Sequence, residues 1–267
     1  MTEIHPTALV SSQALLDDTV RIGPFAVVEA GAELGPGVVV QAHAVVHGSA
    51  SLAAGVLVGV HAVVGGDPQD LKFDPRTPTR AEVGAGTVLR EGSTVHRSTG
   101  NPPTRIGSSC LIMGSAHVAH DCRIGDGVVI SQLTAVAGHA EIGDHAVIGG
   151  VSGIVQWVRI GRMAMVGAKS KVTRDVLPFT VVDGVPACHQ SLNFVGMRRH
   201  GHTAADQMTL RRTFQALCRG DAPSAAPPGE LARELDAFLR APSRRGVSAF
   251  TEQSRATSTT STVKAGV

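Results

Sequence analysis

The sequence predicts a mainly β protein, a parallel β-helix followed by a small α-helical region. Three observations carry this. From Ile4 every sixth residue is aliphatic: Val10, Leu16, Ile22, Val28, Leu34, Val40, Val46, Leu52, Val58 and Val64. The beat resumes at Val83, Leu89 and Val95, and again from Ile106 through to Val172. Aromatic residues make up 3% of the 267 residues, with no Tyr and one Trp, as a narrow core filled by slim aliphatics would have. Past Pro186 the beat stops and apolar residues recur at helical spacing instead. A fixed period of six is the mark of short strands stacked coil on coil.

Each hexad supplies one strand and one corner. The aliphatic residue points inward, and Gly, Ala and Ser fill the tight corners where a larger side chain would clash. Three hexads close a triangular coil of about 18 residues. Stacked coils pair strand on strand about 4.8 Å apart. Stability then accumulates along one dimension, each coil burying its row on its neighbours.

Residues 1–186 are read as this solenoid, interrupted by loops at 65–82 and 96–105. Long loops in a compact repeat are mostly functional or disordered. Residues 187–245 are read as helical. Thr203 is placed to cap a helix running to Cys218, with Met208, Leu210, Phe214 and Leu217 on one face. A second helix is expected over 228–241, with Leu231, Leu235 and Phe238 at helical spacing. Together they would cover the open end of the solenoid. The Ser/Thr-rich stretch 246–267 is expected to be disordered.

Composition narrows the function. A net charge of +2 is too weak to argue for nucleic acid or a membrane surface as partner. Cys110, Cys122, Cys188 and Cys218 lack C-x-x-C spacing and read as reduced thiols of a cytoplasmic protein. The beat begins by residue 4, so no signal peptide is expected, and no apolar run reaches transmembrane length.

The densest polar cluster is Ala116-His117-Val118-Ala119-His120-Asp121-Cys122. Val118 is the inward residue, which leaves His117 and His120 near corners. Stepping one coil at a time from His120 reaches Gly138 and then Gln156, so these three should form one surface column with His139 beside it. A neutral His can take a proton from a hydroxyl near pH 7. An adjacent acid, Asp121, can orient that ring. A glycine allows close approach, and its N–H can hold an oxyanion. With a base activating the acceptor hydroxyl for direct attack, no Ser or Cys nucleophile is needed.

Other readings of the same residues stay open. His117, His120 and His139 could bind zinc, as in the carbonic anhydrases built on such a solenoid. Cys122 could be a nucleophile, or the solenoid a scaffold without chemistry. His43, His47, His61 and His145 read as ordinary surface histidines.

The local motifs carry a resemblance. Gln69-Asp70-Leu71-Lys72, Thr94-Val95-His96-Arg97, the A-H-V-A-H-D-C run from Ala116, Ala137-Gly138-His139 and Met197-Arg198-Arg199 resemble the acyl-[acyl-carrier-protein]–UDP-N-acetylglucosamine O-acyltransferases, which open lipid A biosynthesis. The resemblance implies left-handed coils and a homotrimer with clefts between neighbouring solenoids. It implies transfer of an R-3-hydroxyacyl group from acyl carrier protein to the 3-hydroxyl of the UDP-sugar. His120 would be the general base, Asp121 its partner and the Gly138 amide the oxyanion donor. Asp70 and Lys72 would contact substrate, with His117, His139 and Gln156 around the sugar and acyl groups. Asn193 and Arg199 would meet the nucleotide or the phosphopantetheine. Ala168, in a column with Gln132 and Gly150, would be the acyl-chain ruler, and a residue larger than Gly there implies a shorter groove. The resemblance brings no metal and no cofactor besides the acyl-phosphopantetheine of the donor. The chain departs from the family pattern at Val155, Val195 and Met113-Gly114-Ser115, which leaves a related acceptor such as a 3-amino nucleotide sugar open.

Overall fold

The computed structural model describes residues 2–221, 229–252 and 254. It is a left-handed parallel β-helix whose three faces are sheets of eleven, nine and eight strands. Most strands are two residues long, and each pairs with the strand one coil on. On the eleven-stranded face Ile112, Ile130, Ile148 and Val166 stack in register. On the nine-stranded face Val118, Val136, Ile154 and Val172 do the same. The six-residue beat is therefore the core itself. Val118, Ile130, Ile148 and Val166 are fully buried, whereas Ile4 in the first coil is 45% exposed because no coil lies beneath it.

Most corners bend through a left-handed residue. Non-glycine side chains occupy that position on successive coils at Asp121, His139 and Trp157, with φ of 60°, 61° and 67°. Each such residue costs about 1 kcal/mol or more. Coil-to-coil hydrogen bonds such as His139 N–H to the His120 carbonyl, 3.1 Å, offset this.

Both loops are shorter than the sequence suggests, because strand pairing continues into them. One strand runs Val63–Gly66 and the next starts at Ala81. Likewise Thr94–His96 and Thr104–Ile106 bracket the second loop. Arg97 pins the first loop to the second. Its guanidinium donates to Asp67 Oδ1 (2.8 Å) and to the carbonyls of Pro75 (2.7 Å) and Thr77 (2.8 Å), and lies 4.8 Å over the Phe73 ring.

The region after Pro186 needs correction. It does not begin as helix: Thr180–Gly184 continues the eleven-stranded sheet and Ala187–Leu192 folds back antiparallel on it. An antiparallel return breaks the period of six, which is why the beat does not signal it. A short helix α1, Phe194–Arg199, follows. Helix α2, Ala204–Arg219, is capped by Thr203 in a reciprocal pair with Asp206 and ends at left-handed Gly220. Helix α3 is Glu230–Arg240. The buried face of α2 is Leu210, Phe214 and Cys218; Met208 is 58% exposed and does not join it. This face packs with Leu231 and Leu235 of α3 onto Met163 and Phe179, closing the carboxy end of the solenoid.

The disorder expected from 246 onward is also overturned for its first part. Val247 bridges to Asp175, and Phe250 bridges to His189 and stacks on its ring at 5.0 Å. Residues 255–267 lie outside those described. No helix among the described residues is long and apolar enough to cross a membrane.

Candidate active site

The corner between the nine- and eight-stranded faces carries the column that the 18-residue step implies. His120, Gly138 and Gln156 follow one another up this corner, with Asp121, His139 and Trp157 beside them. His139 N–H donates to the His120 carbonyl, and Trp157 N–H to that of Gly138. The first loop overhangs them. Gln69, Asp70, Leu71, Lys72, His120, His139, Gln156 and Trp157 line a cleft of about 390 Å³.

His120 is 7% exposed. Its Nδ1 lies 2.7 Å from Asp121 Oδ2. An ionised carboxylate only accepts, so Nδ1 is the donor, and in the neutral tautomer this bond favours, Nε2 carries the lone pair. Asp121 is itself held from three sides. The Thr99 hydroxyl donates to Oδ2 at 2.7 Å and the Thr99 N–H to Oδ1 at 3.1 Å, while the Asp121 N–H donates to Thr104 Oγ1 at 2.7 Å. Burial pushes this carboxyl upward. The hydrogen bonds from His120 and Thr99 and the nearby His139 ring outweigh that and hold it below the ordinary value. Asp121 is thus ionised at neutral pH.

Gly138 lets the His120 ring lie against the backbone. A Cβ there would sit 2.5 Å from His120 Cε1 and 2.8 Å from Nε2, closer than side chains pack. Among the described residues nothing accepts the Gly138 N–H. Other corners also leave that amide free, so what sets Gly138 apart is the imidazole beside it.

His139 stacks flat on Trp157, 3.8 Å between ring centres and 3° between planes, and meets His120 edge-on at 5.2 Å. Burial, opposed by Asp121, keeps the His139 ring below its usual pKa and therefore neutral. His117 stands outside the cleft lining. Its Nδ1 is 2.7 Å from Thr94 Oγ1, and its ring meets that of His96 at 4.9 Å. Burial and the surrounding histidines push His96 down to about 4.

Several expectations change here. The zinc trio does not assemble: His120, Asp121 and His139 bring ligand atoms within 4.8 Å of one another, without His117. Asp121 Oδ2 in that group already accepts from Thr99 and His120. Cys122 is fully buried, its thiol is pushed up to about 12 by burial, and its Sγ donates to the Ala137 carbonyl at 3.3 Å. It is a core thiol and not a nucleophile. Asn193 and Arg199 do not line the cleft. Asn193 is 8% exposed and caps α1, its Oδ1 accepting from Gly196 N–H (2.9 Å) and its Nδ2 donating to the Met163 carbonyl (2.8 Å). Arg199 is exposed in the last turn of α1. Ala168 does stack with Gln132 and Gly150, but on the neighbouring corner, between the eleven- and nine-stranded faces.

Sequence reasoning missed Thr99, Thr104, Trp157, Arg244 and Arg245. Thr99 sits in the second loop, where only the polar pair Ser98-Thr99 hinted at a role. Trp157 follows Gln156 directly and is the one tryptophan of the chain. Arg244 lies 3.6 Å over the Trp157 ring and Arg245 donates to the Gln156 carbonyl at 2.8 Å. Their approach from about 90 residues away has no local signal.

Replacing Thr99 with Val removes one donor from Asp121 while keeping the shape. Hydrogen bonds to the ionised form lower a carboxyl pKa, so their loss raises it. The acid limb of the pH–kcat profile should move to higher pH, with kcat at neutral pH down about tenfold. A pH–rate profile beside wild type checks this, and an unmoved acid limb would show that Thr99 does not tune the pair.

Comparison with known proteins shows the family. The family model described as UDP N-acetylglucosamine O-acyltransferase, domain 2, matches residues 175–256, and the bacterial transferase hexapeptide model matches 14–48 and 103–138. The acyl-[acyl-carrier-protein]–UDP-N-acetylglucosamine O-acyltransferase of Akkermansia muciniphila is 54% identical over 218 residues, 81% of this chain and 84% of its own. That of Thiobacillus denitrificans is 38% identical over 259 residues, 92% of this chain and 99% of its own. Among solved structures, LpxA from Acinetobacter baumannii superposes with a TM-score of 0.85 at 31% identity, covering 92% of this chain and 99% of that one. Fold, repeat and whole-chain similarity converge, and the chain belongs to the acyl-[acyl-carrier-protein]–UDP-N-acetylglucosamine O-acyltransferase family of acyltransferases.

Proposed function

We propose that this protein moves an R-3-hydroxyacyl group from acyl carrier protein to the 3-hydroxyl of UDP-N-acetylglucosamine, the first step of lipid A biosynthesis, as a cytoplasmic homotrimer. The observation that carries this is the His120–Asp121 pair packed against Gly138, with the His120 ring lining the cleft. His120 Nε2 takes the proton of the sugar 3-hydroxyl as that oxygen bonds to the thioester carbonyl carbon. The carbonyl oxygen becomes an oxyanion facing the Gly138 N–H. The C–S bond then breaks, and the phosphopantetheine thiolate recovers the proton from His120. Asp121 stabilises the imidazolium between these two transfers. The route uses no covalent enzyme intermediate, no metal and no resident cofactor.

Asp70 and Lys72 on the first loop, with His139 and Gln156 on the column, are the substrate contacts in this reading. His117, Asn193 and Arg199 contribute from outside the single-chain cleft. That the Ala168 column occupies a different corner supports a cleft shared by neighbouring copies. Val155 is partly buried against the core and Val195 is 50% exposed, so neither supplies the polar group common at that place in the family. This favours testing a 3-amino UDP-sugar as a second acceptor.

The test is an acyl-transfer assay with UDP-N-acetylglucosamine, its 3-amino analogue and a ladder of 3-hydroxyacyl carriers. Ester product is expected, with the optimum moving to a longer chain in Ala168→Gly. Amide product alone would replace the acceptor. Absence of transfer to either, by folded protein, would sink the reading.

A further inference from the structure

The segment that leaves α3 returns across the rim of the cleft. Arg245 anchors it through the Gln156 carbonyl at 2.8 Å. Arg244 Cζ lies 3.6 Å from the centre of the Trp157 ring, and His139 stacks on the same ring at 3.8 Å; two groups this close to one ring centre cannot share a face, so they take opposite ones. This makes a three-layer stack of imidazole, indole and guanidinium. A guanidinium held over a ring face leaves N–H groups available to an acceptor beyond the ring. Among the described residues no carboxylate pairs with Arg244. Lys72, on the loop lining the same cleft, is likewise without an ion pair there. Other arginines near the solenoid's end are tied down: Arg159 to Asp175, Arg162 to Glu234 and Arg240 to Asp236. Arg244 is held rigidly by a ring and left electrostatically unanswered at the mouth of a transfer site. Such a planar guanidinium is preorganised to bind two oxygens of an anion such as a phosphate ester.

We propose that Arg244, presented by Trp157, binds a phosphate group of a substrate. Resting on the transfer reading above, this makes the 241–246 segment part of the binding machinery. The shared chemistry is a phosphate ester, and two sources supply it: the diphosphate of the UDP-sugar and the phosphodiester of the phosphopantetheine arm.

The chain's single tryptophan makes a direct readout available. Titrate wild type, Arg244→Ala and Arg244→Lys with UDP-N-acetylglucosamine and, separately, with 4′-phosphopantetheine, following Trp157 fluorescence. One of the two is expected to give a saturable change whose apparent Kd rises about tenfold or more in Arg244→Ala and recovers partly in Arg244→Lys. In the transfer assay KM for that substrate should rise in parallel, with kcat and the other KM within about threefold of wild type. The responding titrant identifies the source. Unchanged Kd values in Arg244→Ala overturn the proposal. So does a fall in kcat alone, which would make Arg244 a positioning residue acting through Trp157 and His139. A phosphate response without acyl transfer would leave this inference standing and remove the transfer reading. Transfer without any response would do the reverse.

Discussion

His120→Ala is expected to lower kcat about 1,000-fold or more, roughly 4 kcal/mol of barrier, while the protein stays folded. The side chain touches the cleft and the Asp121 carboxylate, not the aliphatic core, so its loss leaves the stacked rows intact. KM for both substrates should change little, because a base acts as charge develops. Unfolding by heat, followed alongside the assay, separates a catalytic loss from a structural one. A kcat within tenfold of wild type would end the general-base assignment. Asp121→Asn should cost less, because the ring keeps its place but loses the ionised partner that favours the correct tautomer.

Gly138→Ala should be the second most damaging change, for a different reason. Its backbone φ is not in the left-handed region, so alanine is tolerated by the chain itself. The added methyl would sit 2.5 Å from His120 Cε1 and 3.0 Å from Nδ1, and the imidazole must swing away. Asp121 is fixed by Thr99 and Thr104 and cannot follow. The expected result is a kcat lower by about 100-fold or more, with the ring moved in a crystal structure. Retained activity with an unmoved ring would mean that the close packing of glycine and base is incidental.

The solenoid was legible because its core repeats. One aliphatic residue per hexad, from Ile4 to Val172, leaves a pattern that survives without an alignment. The column of His120, Gly138 and Gln156 followed from the same arithmetic, because corners stack at the step that strands do. The antiparallel return at Ala187–Leu192 was invisible: it pairs by alternation over six residues, too few to announce a new period. Helix α2 could be read to within one residue at each end because Thr203 caps it, and the shift of its buried face from Met208 to Cys218 depended on which neighbours covered it. Thr99, Arg244 and Arg245 reach the site through loop conformation and chain return. No periodicity encodes such contacts, and they are where the reading from sequence stopped.

The stacking of the corner has a consequence for how this chain can vary in length. His120, Gly138 and Gln156 are graduations on one vernier, spaced by a full coil of 18 residues, as the pairings of Val118 with Val136 and of Val136 with Ile154 record. Removing a single residue between two of them would rotate the upper graduation off its edge and onto a flat face. Removing a whole coil would keep the edge but lower everything above it by one rung of about 4.8 Å. Length changes that preserve the chemistry are thus confined to the two loops and the carboxy-terminal segment, the same three places from which Lys72, Thr99 and Arg244 reach the site.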